Sequence, residues 1–274
     1  MSGPALARTL GALGLGLATV SCVRPATPSR LILATTTSVE DSGLLQELVP
    51  AFEAAHPEYA VQYTAVGSGQ ALELGRRGDA DVLIVHSPED EARFMADGHG
   101  ADRRAVMSNE FVLLGPGTDP AGVRGIADAA AAFRRIAAAG APFISRGDQS
   151  GTHQRERSMW SAAGVKPSGS GYTEAGVGMG EALGIASQRQ AYILSDIATW
   201  LFVRGGLDLE ILSRGDARLL NPYSVIRCAQ AANPAGAEAF AEWLVGDEAQ
   251  ALIGRFGLSN VGEPLFVPNP KPAS

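Results

Sequence analysis

Apolar and polar positions along the chain fall into short alternating blocks. Arg30-Leu-Ile-Leu-Ala34 is an apolar run with polar neighbours, which predicts a buried strand. After TTTSVED, Leu44, Leu45, Leu48, Val49 and Phe52 recur at helical spacing. Asp41 and Ser42 are credible N-caps for that helix, and His56-Pro57 ends it. VQYTAV (61–66) alternates as a second strand, and Gly67-Ser-Gly opens a helix running through Gly75. ADVLIV (80–85) predicts a third buried strand, followed by a helix over 89–95. This is the rhythm of a parallel α/β sheet.

EFVLLG (110–115) predicts another strand, and Pro116-Gly-Thr-Asp-Pro120 a turn. A second α/β region follows, with helices over 122–138, 152–163 and 179–189 and strands over 142–145 and 191–194. LLNPYSVIRC (219–228) reads as one more strand, and helices over 235–244 and 247–256 close the pattern. Two extended crossings, near 108–115 and 219–227, suggest two lobes. Lobe I takes 30–110 plus 222–266, lobe II takes 111–221, and a Pro-rich tail from 267 to 274 is expected to fray. Trp160, Trp200 and Trp243 fall on apolar faces and read as core.

Composition narrows the classes. Of the residues, 46% are hydrophobic and 19% charged, which fits a globular protein with a sizeable core, and the glycines follow no collagen triplet. With 29 acids against 22 bases, the net charge is −7 and no basic block exists, so a nucleic-acid footprint is not expected. Two cysteines, Cys22 and Cys228, exclude a disulfide framework and any Cys-rich metal site; no metal or cofactor is called for. Arg8 followed by TLGALGLGLATV suits the apolar region of a secretory signal over 1–21, being shorter than the roughly 20 apolar residues of a membrane span. ATVSC then resembles a bacterial lipobox, with Cys22 as the lipid-carrying residue and 22–29 as a tether. Simple cleavage near Ala26 is the alternative. Cys228 is expected to be a buried apolar filler.

The candidate chemistry lies in three loops where strands give way to helices: Thr35-Thr36-Thr37-Ser38, Gly67-Ser68-Gly69-Gln70, and Ser145-Arg146-Gly147-Asp148-Gln149-Ser150-Gly151-Thr152-His153. Free backbone N–H groups and the positive end of a helix dipole make such places anion sites, and open α/β sheets bind ligands at the carboxyl ends of their strands. Hydroxyls, amides and one guanidinium suit a tetrahedral oxyanion whose oxygens all accept. Each loop alone is explained by ordinary capping. Asp148 is expected to orient Arg146 through an ion pair, His153 to be exposed, and Glu156 to complement its helix dipole. Glu174 and Asp196 are the other carboxylates near strand ends. The stretch 172–180, which contains Val177, either brings backbone amides to a ligand or is a plain connecting loop.

The segments ILATTTSVEDSGLLQELVPAFE, AVGSGQAL, ADVLIVHSPEDEARFMADG, NEFVLLGP, FISRGDQSGTHQRE and AYILSDIATW resemble the tungstate-binding proteins of bacterial ABC importers, from about Leu31 to about Phe256. The resemblance implies a two-lobed type II periplasmic-binding-protein fold with the ligand in the inter-lobe cleft, and a membrane permease as partner. It implies Thr36, Thr37, Ser38 and Ser68 as ligands from the first lobe, facing Arg146, Ser150, Gly151 and Thr152; Asp148, Glu174 and Val177 are secondary candidates from their positions in the loops. The expected ligand is tungstate. Molybdate is inseparable from it on physical grounds, and phosphate stays in contention through the Arg-x-Asp-x-Ser-Gly-Thr run. A phosphate-ester hydrolase using Ser150 or Thr36, with His153 as base, is a second alternative, though no Gly-x-Ser-x-Gly, His-Glu-x-x-His or Walker motif accompanies it, and a signalling ectodomain is a weaker third.

Overall fold

The computed structural model describes residues 27–269, with Met1 and Gly3. The expected signal region, Cys22 and the last five residues lie outside the described residues. Among those described, no helix is long and apolar enough to cross a membrane.

The chain begins with β1 (Ser29–Thr36), α1 (Thr37–Asp41), α2 (Leu45–Ala55), β2 (Tyr59–Val66), α3 (Ser68–Arg77), β3 (Val82–Val85) and α4 (Pro88–Ala96). The long β4 (Gly100–Gly115) leads into α5 (Ala129–Ala138), β5 (Phe143–Ser145), α6 (Gly151–Ala162), β6 (Tyr172–Glu174), α7 (Met179–Gln188), β7 (Tyr192–Asp196), α8 (Ile197–Val203) and β8 (Glu210–Ser213). β9 (Leu220–Cys228) returns, and α9 (Pro234–Leu244), α10 (Asp247–Arg255), α11 (Leu258–Val261) and β10 (Val267–Pro268) follow.

Strand order is β2-β1-β3-β9-β4-β7-β5-β6. β1 pairs in parallel with β2 and β3, and β5 with β6 and β7, as the alternating pattern predicts. The two crossing strands are the departure, since β9 runs antiparallel to β3 and β4, and β4 antiparallel to β7. β4 is shared: residues 100–110 pair with β9, and Phe111–Leu114 pair with β7. One strand therefore belongs to both half-sheets, each of which forms the centre of a lobe.

The core is continuous between the lobes on one side. Val39 and Leu44 from the first lobe belong to the same buried cluster as Met179, Leu183, Trp200 and Leu201 from the second. Separate clusters around Phe94 and around Phe133 back the other faces of the half-sheets. The three tryptophans are buried as expected, and Cys228 is an apolar filler at 4% exposure.

Several local expectations change. The first helix starts at Thr37, breaks at Gly43 (φ 84°) and resumes at Leu45. Asp41 is consequently no N-cap, and the Ser42 hydroxyl bridges the break, donating to Val39 O and accepting from Leu44 N. The helix expected over 122–138 begins only at Ala129, because Gly122 and Gly125 take positive φ and Asp128 caps the later start. Val267–Pro268 pairs with β4 and Asn269 N donates to Val106 O, so this part of the tail is held rather than frayed. β6, α8 and β8 had no clear sequence signal; α8, for one, continues directly from a buried strand.

Candidate functional site

The strands of both lobes end facing one another. β1 delivers Thr36 and the start of α1; β2 delivers Gly67 and the start of α3; β5 delivers Arg146 and, across a five-residue loop, the start of α6. These loops touch. A methyl group on Gly67 would lie 3.6 Å from Ser150 Cα, one on Gly69 3.6 Å from Gln149 O, and one on Gly151 only 2.7 Å from His86 O. Arg146 Nη2 donates to Thr37 Oγ1 across the junction at 3.3 Å.

Arg146 is almost wholly buried, at 3% exposure. Its Nη2 also pairs with Asp148 Oδ2, and its Nε donates to Val177 O at 3.3 Å. Asp148 therefore orients Arg146, and its Oδ1 accepts from Ser150 N at 3.1 Å. Val177 meets the arginine through its carbonyl oxygen. Two φ-positive residues, Gly147 and Gln149, give the loop its tight course. Ser150 caps α6 by accepting from His153 N, whereas α3 and α7 start at Gly67 and Gly178 with no side-chain cap, so their first amides are not taken up by a capping side chain.

Besides Ser145 Oγ at the end of β5, three polar atoms at the helix starts of these loops are buried without a hydrogen-bond partner among the described residues: Ser68 Oγ, Thr152 Oγ1 and His153 Nε2. An unmet buried polar group costs about 1–3 kcal/mol, so three clustered at loops from both lobes need an explanation. His153 is 7% exposed rather than solvated: its Nδ1 accepts from Gln149 N, which leaves Nε2 to carry the proton. Burial lowers its pKa, outweighing the nearby Asp148 and Glu174, and holds the ring neutral. Glu174 is exposed, its carboxylate 3.9 Å from His153 Nε2. Glu156 is also buried, at 2% exposure, and accepts from Trp160 Nε1 and Tyr172 OH. Burial pushes its pKa up to about 7, so its role is internal to the lobe rather than that of a surface charge on the helix dipole.

Thr36 and Ser38 are buried and share a hydrogen bond of 3.1 Å. Ser38 Oγ in turn lies 3.1 Å from His86 Nε2, and His86 Nδ1 lies 2.9 Å from Asn221 Oδ1. Asn221 Nδ2 donates to Asn109 Oδ1 and to Tyr223 OH, and Asn109 Nδ2 reaches Asp196 Oδ1 at 3.5 Å. The sequence reading passed over His86, Asn109 and Asn221. A signal existed: each is a polar residue in or directly after an apolar strand run. Ser38–His86–Asn221 has the connectivity of a nucleophile, base and orienting group. Burial, chiefly, drives the His86 pKa down to about 4, which makes the ring a feeble base.

A model of the PBP superfamily domain matches residues 23–248, and the chain belongs to that superfamily of periplasmic-type binding proteins. Within it, the chain is 43% identical over 245 residues to the tungstate-binding protein TupA of Peptoclostridium acidaminophilum, covering 87% of this chain and 85% of that one. Among solved structures it is similar to the tungstate ABC transporter structure from Geobacter sulfurreducens (TM-score 0.76, 43% identity, 83% of this chain and 98% of that one). It is also similar to the tungstate-binding protein TupA from Desulfovibrio alaskensis G20 (TM-score 0.73, 37% identity, 89% and 100%).

Proposed function

We propose that this protein captures tungstate outside the cell membrane and delivers it to the permease of an ABC importer. The observation that carries the reading is the set of unmatched buried polar atoms, Ser68 Oγ, Thr152 Oγ1 and His153 Nε2, gathered with the Arg146 guanidinium at loops of both lobes. Two hydroxyls and a protonated ring nitrogen can all donate, and a tetraoxo dianion accepts on every side. Thr36, Thr37, Ser38, Ser150 and Gly151 complete the proposed ring, Thr37 and Ser150 with hydroxyls whose protons stay free and the others through the backbone amides of their loops. Charge-assisted hydrogen bonds of roughly 1.5–3 kcal/mol each would reach nanomolar affinity with only a handful of contacts. Similarity to proteins named for tungstate binding supports the choice of ion. Molybdate has the same charge and nearly the same shape. Phosphate carries a proton near neutral pH and wants an acceptor, yet both Asp148 oxygens already accept from Arg146 and Ser150 N.

Calorimetric titration of the mature protein with tungstate, molybdate, sulfate and phosphate tests this. Tight one-to-one binding of tungstate with sulfate and phosphate silent is expected; silence toward all four would overturn the function. Hydrolysis of phosphate esters draws less support, because the two His153 ring nitrogens meet Gln149 N and face Glu174 rather than a serine or threonine hydroxyl. Anchoring through Cys22 belongs to the same proposal: Cys22→Ala should release the protein from the membrane fraction, and an unchanged partition would leave simple secretion.

A further inference from the structure

His86 is 3% exposed, lies directly after β3, and touches the first anion loop, the crossing strand β9 and the start of α6. Its ring stacks on Tyr223 of β9 with centroids 4.7 Å apart, its Nδ1 meets Asn221, and its Nε2 meets Ser38 in the first anion loop. Across the junction, the first residue of α6 rests on it. A methyl group at Gly151 would stand 2.7 Å from His86 O, 2.9 Å from Nδ1 and 3.0 Å from Cε1, inside any real contact distance.

The network fixes the tautomer. Asn109 points its amide nitrogen at the Asp196 carboxylate, so its oxygen faces Asn221 and accepts from Asn221 Nδ2. The Asn221 oxygen is then left for His86 Nδ1, which must carry the proton. In a neutral ring Nε2 becomes an acceptor, so the Ser38 hydroxyl donates to it and Thr36 donates to Ser38. Protons run from Thr36 through Ser38 and His86 to Asn221. Burial, with Arg146 and Arg155 nearby, keeps the ring uncharged.

We propose that His86 is the positioning residue of the anion site: a neutral ring protonated on Nδ1 that ties the Thr36–Ser38 loop to the crossing strands and forms the seat on which Gly151 rests when the lobes are closed. This rests on the oxyanion reading above. It makes His86 a determinant of affinity that need never touch the ligand.

Two substitutions separate the two ring nitrogens. His86→Gln can place an acceptor where Nε2 stands and keep Ser38 in place. His86→Asn keeps only the bond to Asn221. In tungstate titrations, His86→Asn should lose about tenfold or more in affinity, and His86→Gln should recover most of that loss. Ser38→Ala should cost as much as His86→Asn, and the double variant no more than either. A residue that merely fills the core would give losses that add with Ser38→Ala, and that result overturns the proposal, as does a Gln variant no better than Asn. Nitrogen-15 spectra of the histidine rings provide a check that needs no ligand: an Nδ1–H ring is expected at His86, and an Nε2–H ring would overturn the proposal with the function intact. Absence of oxyanion binding by the wild type would instead remove the function and the role together.

Discussion

Arg146 gives the sharpest test of the proposed chemistry, provided the substitution respects its burial. The sequence places it on a loop facing a cleft, where alanine should cost affinity and little stability. The structure shows a guanidinium 3% exposed, paired with Asp148 and bonded to Thr37 Oγ1 and Val177 O. Removing one partner of a buried ion pair costs about 3–5 kcal/mol, so Arg146→Ala would confound unfolding with lost binding. Arg146→Lys keeps the charge beside Asp148 and removes the fork. Its recorded bonds use Nε and Nη2, which leaves Nη1 to face a ligand. Loss of one charge-assisted bond, roughly 1.5–3 kcal/mol, predicts tungstate affinity weaker by about one to two powers of ten. The double variant Arg146→Ala/Asp148→Ala removes the pair without stranding a charge and should lose more, roughly two to four powers of ten for two such bonds. Calorimetric titration reads the affinity, and thermal melting of the ligand-free variants shows whether the fold is intact. Wild-type affinity in both folded variants would refute the placement of Arg146 at the anion.

Two further outcomes follow from the packing. Gly151→Ala brings a methyl group 2.7 Å from the His86 carbonyl across the junction, while its own backbone lies outside the left-handed region. Tungstate affinity should fall at least about tenfold through hindered closure, with ligand-free melting little changed; unaltered affinity would show that the lobes need not approach this closely. Glu156 has its folded pKa raised from 4.5 to about 7 by burial, so its contribution is fully present below about pH 4.5 and is lost as pH rises through 7. Urea unfolding should therefore show wild-type stability falling, by up to about 3 kcal/mol, between pH 5 and pH 8 relative to Glu156→Gln. Parallel curves for the two proteins would mean that the carboxyl is not protonated in the fold.

Much of this protein is legible in its order of residues. Short apolar runs such as LILA and VLIV have only one way to hide, and the residues after them, TTTS, GSG and SRGDQSGT, carry the chemistry of helix starts. The class of fold and the three polar loops follow from those local rules, because strand burial and capping act over a few residues. Charge and cysteine usage, likewise, are properties of the chain alone. Local rules also misled where a distant partner decided the outcome. His153 and Glu156 carry groups that favour water, yet both are buried, the imidazole under Gln149 N and the carboxyl against Trp160 and Tyr172.

The tertiary structure decided how the pieces meet. Nothing in the local pattern indicates that β9 runs antiparallel between β3 and β4, and that order is what brings Asn221 to within hydrogen-bonding distance of His86, 135 residues earlier in the chain. The same holds for Arg146 reaching Thr37 and for Gly151 resting on His86. Capping and strand burial are settled by neighbours in sequence. The direction of a proton chain and the closest approach of two lobes are settled by contacts between residues from about fifty to more than a hundred positions apart, which exist only after the half-sheets have packed.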